Sequence, residues 1–477
     1  MSSDEIQALR QRLAELQQRL GALPPLSPRA NLMTEIMDLQ KQLSVLEGRA
    51  GAGSAEQTSS SPSPVGPVVE ALEPLAGQPA AQIDTVATLA LVRVLLDRHQ
   101  GVSAERAGDL AQAGELLAEI GPARLREAGA PAAELWEQTR RELAVLLAGF
   151  DGSGAGEVAP DMRVRAGRAL GLLGDPRIPL DDDAWRASLT GLSTALAAGG
   201  EHYWRYVPAG SYLTGGWAEY DPYAGPMQRD QWVEMVPVAA FWIARLPVTV
   251  AQFALFVADG YRDDSYWTPG GLQWRNEQAA SKSWGGPQHR GANQPVVHVN
   301  WYEATAYCRW LEARLGSALP EGYTLRLPSE AEWEAAASFD GTRQRRDHPW
   351  GKEEITLGRA VTRDWRLSAP APVGLCPTGA AACGALDFAG NVWEWSSSAE
   401  ENYPRRANLL TDDHPVGKMH APMRGGSWAE LIRMGGAGGS WSESSRAASC
   451  GSRYALGPIY ISRHDTGLRL ALAPRQV

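Results

Sequence analysis

Arg424-Gly425-Gly426-Ser427-Trp428 and Gly467-Leu468-Arg469-Leu470 bracket a stretch near the C-terminus that is rich in Gly, Ser and aromatic residues and follows neither a helical nor a strand period. Its middle reads Tyr454-Ala455-Leu456-Gly457-Pro458-Ile459-Tyr460-Ile461-Ser462-Arg463-His464-Asp465-Thr466. Such a segment has no repeating apolar face from which to build a core. It needs a scaffold, and the roughly 220 residues before it have that character.

Working outward, composition narrows the class. A chain of 477 residues is too long for one core and predicts about two to four units. A formal net charge of −10 argues against a general nucleic-acid or membrane-surface binder. No run of about 18 apolar residues is present to span a bilayer. The start, Met1-Ser2-Ser3-Asp4-Glu5, is acidic and polar, unlike a secretory leader. Four cysteines, at 308, 376, 383 and 450, are too few for a disulfide framework. The expected location is therefore cytoplasmic. Eighteen Trp against six Phe, most of the Trp after residue 200, suit an irregular domain that needs both packing and hydrogen-bonding edges.

Upstream, residues 1–48 read as a coiled-coil helical hairpin. Ile6, Leu9, Leu13, Leu16 and Leu20 form one narrow stripe, and Leu32, Ile36, Leu39, Leu43 and Leu46 another, with Pro24, Pro25 and Pro28 between. So narrow a stripe predicts self-association or partner helices; the alternative is a solvated tether packed on the rest of the chain. Residues 49–79, with Ser-Ser-Ser-Pro-Ser-Pro, read as a disordered linker. Residues 80–182 read as a small all-helical domain, with helices marked by Val86, Leu89, Ala90, Val94 and Leu95, by Leu116, Leu117 and Ile120, by 134–147, and by 163–173 ended at Gly174-Asp175-Pro176. His99 is alone there and reads as a surface residue.

From residue 200 to 477 the motifs become specific: Trp204–Gly216, Phe241–Phe253, Pro295–Leu311, Leu325–Ala337, His348-Pro349-Trp350-Gly351, Gly390-Asn391-Val392-Trp393-Glu394-Trp395, and the two bracketing motifs. Ser329 with Glu332 three residues later is a capping box. Trp393 and Trp395, two apart, can pack on one face of an extended strand. Glu394, if buried, needs an Arg, and Arg424 is a candidate. In order and spacing these motifs resemble the formylglycine-generating enzyme (sulfatase-modifying factor) family. The resemblance implies an α+β chain whose C-terminal domain is a variant of the C-type lectin fold, preceded by all-α segments. It also implies a calcium site near Asn391, which would offer an oxygen; no cofactor is otherwise required.

The resemblance further implies copper held by two thiolates in the family's enzymes, soft ligands that suit Cu(I). The matching positions here are Glu430 and about Gly435. The His-x3-His-x-Glu spacing of an iron-dependent branch is also missing. Cys376 and Cys383 read as a local disulfide, a weak metal pair, or two small loop residues. No catalytic residue is therefore assigned. The same fold serves in variable proteins of diversity-generating retroelements, whose last segment is diversified at adenines. An Asn codon so randomised reaches every residue from Tyr454 to Thr466, but not Glu430, Met434, Trp441 or Glu443. Apolar residues on a loop read as a contact patch. The expected function is non-catalytic binding of a protein or other macromolecule through a variable region at 428–466. The candidate contacts are Ala429, Leu431, Ile432, Trp441, Ser442, Tyr454, Leu456, Ile459, Tyr460, Ile461, His464, Asp465 and Thr466. The alternatives are a formylglycine-generating or related oxidase, and a fixed defence- or signalling-associated binding module.

Overall fold

The computed structural model describes residues 84–150, 158–195, 202–215, 218–221, 225–229, 233–277, 291–342, 344–400, 404, 408, 420–429, 450, 453–456 and 464–475. All of the described residues belong to the second of the chain's two units, residues 67–477. The heptad stretches and the Ser/Pro linker lie outside the described residues.

The second unit begins with helices α1 (Thr85–Arg98), α2 (Ala104–Glu127), α3 (Ala130–Ala148), α4 (Pro160–Leu173) and α5 (Asp182–Leu189). Their ends follow local chemistry. Asp84 accepts the Val86 and Ala87 amides at the start of α1, and Ser103 accepts the Arg106 amide in α2. Pro160 opens α4 and Gly174, at φ 84°, ends it. The apolar residues of α1 do not all face inward. Val92, Leu95 and Leu96 are buried, whereas Val86 and Val94 of the sequence stripe are 78% and 54% exposed. His99 is not isolated: its Nδ1 lies 2.6 Å from Asp109 Oδ2.

The remainder is strand and loop with four helices: β1 (Trp204–Val207), β2 (Gly210–Gly215), β3 (Ala218–Asp221), β4 (Gly225–Arg229), β5 (Val233–Val238), β6 (Phe241–Ala244), α6 (Val250–Asp259), α7 (Pro269–Glu277), α8 (Trp301–Leu315), β7 (Tyr323–Arg326), α9 (Glu330–Ser338), β8 (Trp393–Trp395), β9 (Ala421–Arg424), β10 (Arg453–Leu456), β11 (Thr466–Gly467) and β12 (Ala471–Pro474). One sheet runs β1-β6-β12-β7, antiparallel throughout, with Ala471 beside both Ile243 and Arg326. The last strand is thus a central strand, which ties the chain's end into the middle of the domain. A second sheet runs β10-β9-β8-β11, with β11 parallel to β8.

Capping boxes start α6 at Thr249/Gln252, α8 at Asn300/Glu303 and α9 at Ser329/Glu332. Trp301 on α8 and Trp393 and Trp395 on β8 share one apolar cluster, and two of their ring N–H groups find carbonyls. Trp301 Nε1 donates to Ser396 O and Trp395 Nε1 to Val299 O, both at 2.9 Å. The helices and the strand-rich part share apolar packing: one cluster joins Leu110, Leu143 and Leu170 to Val361, Trp365, Leu375, Cys376 and Trp428.

Gly390 shows how tightly this frame is set. Its φ is +78°, and a Cβ there would sit 2.3 Å from Val361 O. Gly390→Ala is expected to cost more than about 2 kcal/mol, because left-handed strain and a backbone clash add. The urea midpoint of the purified chain reads this directly; an unchanged midpoint would contradict it.

Candidate ligand-binding site

Three motifs distant in sequence meet beneath the C-terminal stretch. Gly390 N donates to Gly425 O (2.8 Å), Trp428 N to Asn391 O (2.9 Å) and Trp393 N to Asp465 O (2.8 Å). Ser427 Oγ donates to Asp465 Oδ2 at 2.7 Å, both side chains being buried. The rings of Trp428 and His464 meet edge to face at 5.4 Å, and the His298 ring lies 6.4 Å from His464. The two ends of the 429–463 segment are therefore pinned side by side on a buried frame.

The predicted contact residues divide accordingly. His464 is exposed and Ala429 partly so. Asp465 and Thr466, each 2% exposed, belong to the frame and not to a contact surface. The residue before a buried strand is drawn inward by the pairing of Thr466 with Trp393. Tyr454 and Leu456 lie on β10, opposite Met423 and Ala421. Leu431, Ile432, Trp441, Ser442, Ile459, Tyr460 and Ile461 lie outside the described residues. Asn391 is fully buried at φ +61°, and its amide faces the Ala371 backbone: Oδ1 accepts from Ala371 N at 3.0 Å and Nδ2 donates to Ala371 O at 3.3 Å. It acts there as a loop clamp. Among the described residues no group of three or more His, Cys, Asp or Glu is placed to hold a metal ion.

Buried charge under the site is paired, though not as the sequence suggests. Glu394 is paired with Arg469, whose Nη2 lies 2.6 Å from Oε1, and it also accepts from Trp333 Nε1 at 2.8 Å. Arg424 instead donates to Glu334 at 2.8 Å. Two carboxylates in similar pairs titrate low. Burial pushes the Glu332 carboxyl up, but the charge and two hydrogen bonds of Arg326, with the Ser329 amide, outweigh it and hold it below the usual carboxylate range. Asp175 is likewise pushed up by burial and brought lower by Arg177 and Asn293. Both folded values are depressed, so the stability they contribute is present above the ordinary carboxylate pKa and disappears as pH falls through the folded values. The urea midpoint is expected to fall below about pH 4. In Glu332→Gln it should fall less steeply with pH; an identical slope would assign the acid sensitivity elsewhere.

The four thiols occupy three apolar clusters, Cys383 and Cys450 sharing one. All four cysteines are buried and unbridged. Cys308 is on α8, and Cys376 Sγ lies 3.8 Å from Leu357 O in the cluster shared with the helices. Cys383 and Cys450 Sγ lie 3.5 and 3.4 Å from Ala336 O and Ala337 O. The reading of Cys376 and Cys383 as a disulfide is thereby corrected: the two sulfurs point into different clusters. Burial pushes all four thiols up, so none is a ready thiolate.

A family model described as "Sulfatase-modifying factor enzyme 1-like domain" matches residues 203–473, more than half of the chain. The chain belongs to this family. Members similar to it include the hercynine oxygenase of Mycobacterium tuberculosis, 36% identical over 212 residues, or 41% of this chain and 47% of that protein. The formylglycine-generating enzyme of the same organism is 31% identical over 246 residues, or 42% and 74%. The serine/threonine-protein kinase Pkn1 of Chlamydia trachomatis is 30% identical over 226 residues, which cover 46% of this chain and 33% of the kinase. The chain spans about half the length of the hercynine oxygenases it matches. The first two names are those of enzymes, so similarity favours the enzyme alternative over ligand display, and no relative named here is a retroelement variable protein. Among the described residues no helix is long and apolar enough to cross a membrane.

The sequence reading left Ser427, His298, Cys450 and Arg453 out of the site. Ser427 and His298 had a signal, their places inside family motifs; Cys450 and Arg453 depend on long-range contacts.

Proposed function

We propose that the family domain of this chain serves as a ligand-binding module, presenting residues 429–463 to a protein or other macromolecule from a C-type-lectin-type scaffold. One observation carries the reading: the segment's two ends are locked together by Ser427–Asp465 and Trp428–His464 on a buried frame. A closed base of this kind tolerates changes in what it carries, because its hydrogen bonds are made by main chain and by residues outside the segment. Diversification of the segment by a retroelement is the finer form of the proposal, supported by the Asn-reachable composition of Tyr454–Thr466. The positions matching the family's copper cysteines are Glu430 and about Gly435, and burial pushes all four thiols up, which does not fit that copper site, so no step is routed through that metal.

The second reading is an oxidase acting on a peptide cysteine or on hercynine, and the similarities to named enzymes support it. One experiment separates the two. The full chain is supplied with copper and a Cys-containing peptide, and separately with iron(II), hercynine and a thiol, and oxygen uptake is followed. No turnover above the metal-only blanks is expected; turnover in either arm overturns the binding-module reading. The finer claim is read from the gene: a nearby reverse transcriptase and a near-copy of the 3′ end differing at adenines are expected, and lack of both would sink it.

A further inference from the structure

We propose that the outward face of α1 is a self-association surface, on which a second copy of this chain packs its own α1 in antiparallel orientation. This surface is independent of what the family domain binds or oxidises.

α1 is apolar almost all round. Val92, Leu95 and Leu96 are buried against the other helices. At 3.6 residues per turn, Val86, Ala87, Ala90, Leu91 and Val94 gather on the opposite side. All five are exposed, Leu91 at 43% and the two valines more so. No charged residue occurs from Thr85 to Val92. The outward side of α4 is different, with Asp161, Arg165 and Arg168 exposed. A surface helix ordinarily carries such polar residues outward, and a helix that is apolar on both sides is ordinarily buried on both. The outward face of α1 therefore has the composition of an interface.

That face fits a copy of itself. In an antiparallel pair whose two-fold axis passes beside residues 90 and 91, Ala87 of one copy lies opposite Val94 of the other, small against large. Ala90 and Leu91 each lie next to their own counterparts, and the small Ala90 side chains let the helices approach. Charge selects the direction. Asp84 stands at the start of α1, and Arg93 and Arg98 lie near its end against one acid, Asp97. The Arg98 side chain is 58% exposed, and its contact with Asp109 is long, at 3.9 Å. Antiparallel packing sets the acidic start of each copy over the basic end of the other and opposes the two helix dipoles. Parallel packing would stack Arg93 and Arg98 on themselves. The helix is about 21 Å long, so the pair buries less than the roughly 800 Å² per partner of a standard interface. The dimer is accordingly weak, with a Kd expected at roughly 10–100 µM.

Sedimentation equilibrium of the full chain tests this. The mean mass should rise from one chain toward two as concentration passes through that range. Leu91→Glu sets like charges together beside the axis and should weaken dimerisation by roughly ten-fold or more. Its circular dichroism spectrum should be unchanged, because the side chain is already exposed. A wild-type chain that stays monomeric would overturn the pairing, and so would a variant that dimerises as the wild type does. Cysteine cross-linking reads the register and separates α1 from any pairing through residues 1–48. The four native cysteines are buried. Ala90→Cys should link to its own counterpart under mild oxidation. Ala87→Cys should not link to itself, since its counterpart lies about 10 Å further along the helix, but it should link when mixed with Val94→Cys. No link at Ala90→Cys, or equal self-linking at positions 87, 90 and 94, would overturn the antiparallel pair. Should Leu91→Glu not fold, the cross-links decide on their own.

Discussion

Arg469→Met is expected to destabilise the chain by about 3–5 kcal/mol, the range for stripping one partner from a buried ion pair. Arg469 is fully buried. It holds both oxygens of Glu394 at 2.6–3.0 Å and donates to the carbonyls of Ala244, Arg245 and Leu386. Its guanidinium lies 4.2 Å from the Phe388 ring centroid. Methionine fills much of the same volume but leaves the Glu394 carboxylate with only the Trp333 ring N–H among its close partners. Three carbonyls also lose donors. The loss is a large share of the roughly 5–15 kcal/mol typical of a folded domain. Urea unfolding measures it. Pairing the change with Glu394→Gln should cost less than the sum of the two singles, because the second change removes the stranded charge. A single-variant loss below about 1 kcal/mol would show that the pair contributes little net stability.

Trp428→Ala is the second large effect, expected at about 3–5 kcal/mol for an aromatic removed from a packed cluster. Trp428 is 8% exposed and shares its cluster with Trp365, Leu375 and the apolar residues of α1–α4. The loss should therefore appear in the helices as well as in the sheets. Trp428→Phe separates packing from polarity. The indole Nε1 is buried with no hydrogen-bond partner among the described residues, so phenylalanine removes a donor that those residues leave unsatisfied, along with some volume. Its cost is expected below about 1.5 kcal/mol. A phenylalanine variant as unstable as the alanine variant would mean that the N–H is needed. A mild alanine variant would mean that the helices and the segment's base are not coupled through this ring.

Much of the local architecture is legible in the residues. The Ser329/Glu332 box, the Gly174 stop and the extended Trp393-Glu394-Trp395 are decided by neighbours within a few positions, where propensity and capping act. The bracketing motifs likewise mark the family. The partner of Glu394 was not legible. The sequence reading named Arg424, the nearer in sequence, whereas the partner is Arg469. The choice is made when β11 lies parallel to β8 and β12 inserts between β6 and β7. The burial of Asp465 and Thr466 follows from the same pairing, although their polar character reads as surface.

The sequence alone determined the family, the Ser329/Glu332 helix start, the Gly174 helix stop and the absence of cysteine at Glu430 and Gly435. These depend on residue identity and short spacings. Only the tertiary structure decided that Ser427 bonds Asp465, that Cys450 and Arg453 meet α9, and that Trp428 packs in the cluster of the helices. Each of those contacts spans 26 residues or more, or joins separate elements through shared burial. No local preference encodes them; they are set where buried charge and apolar surface find partners together.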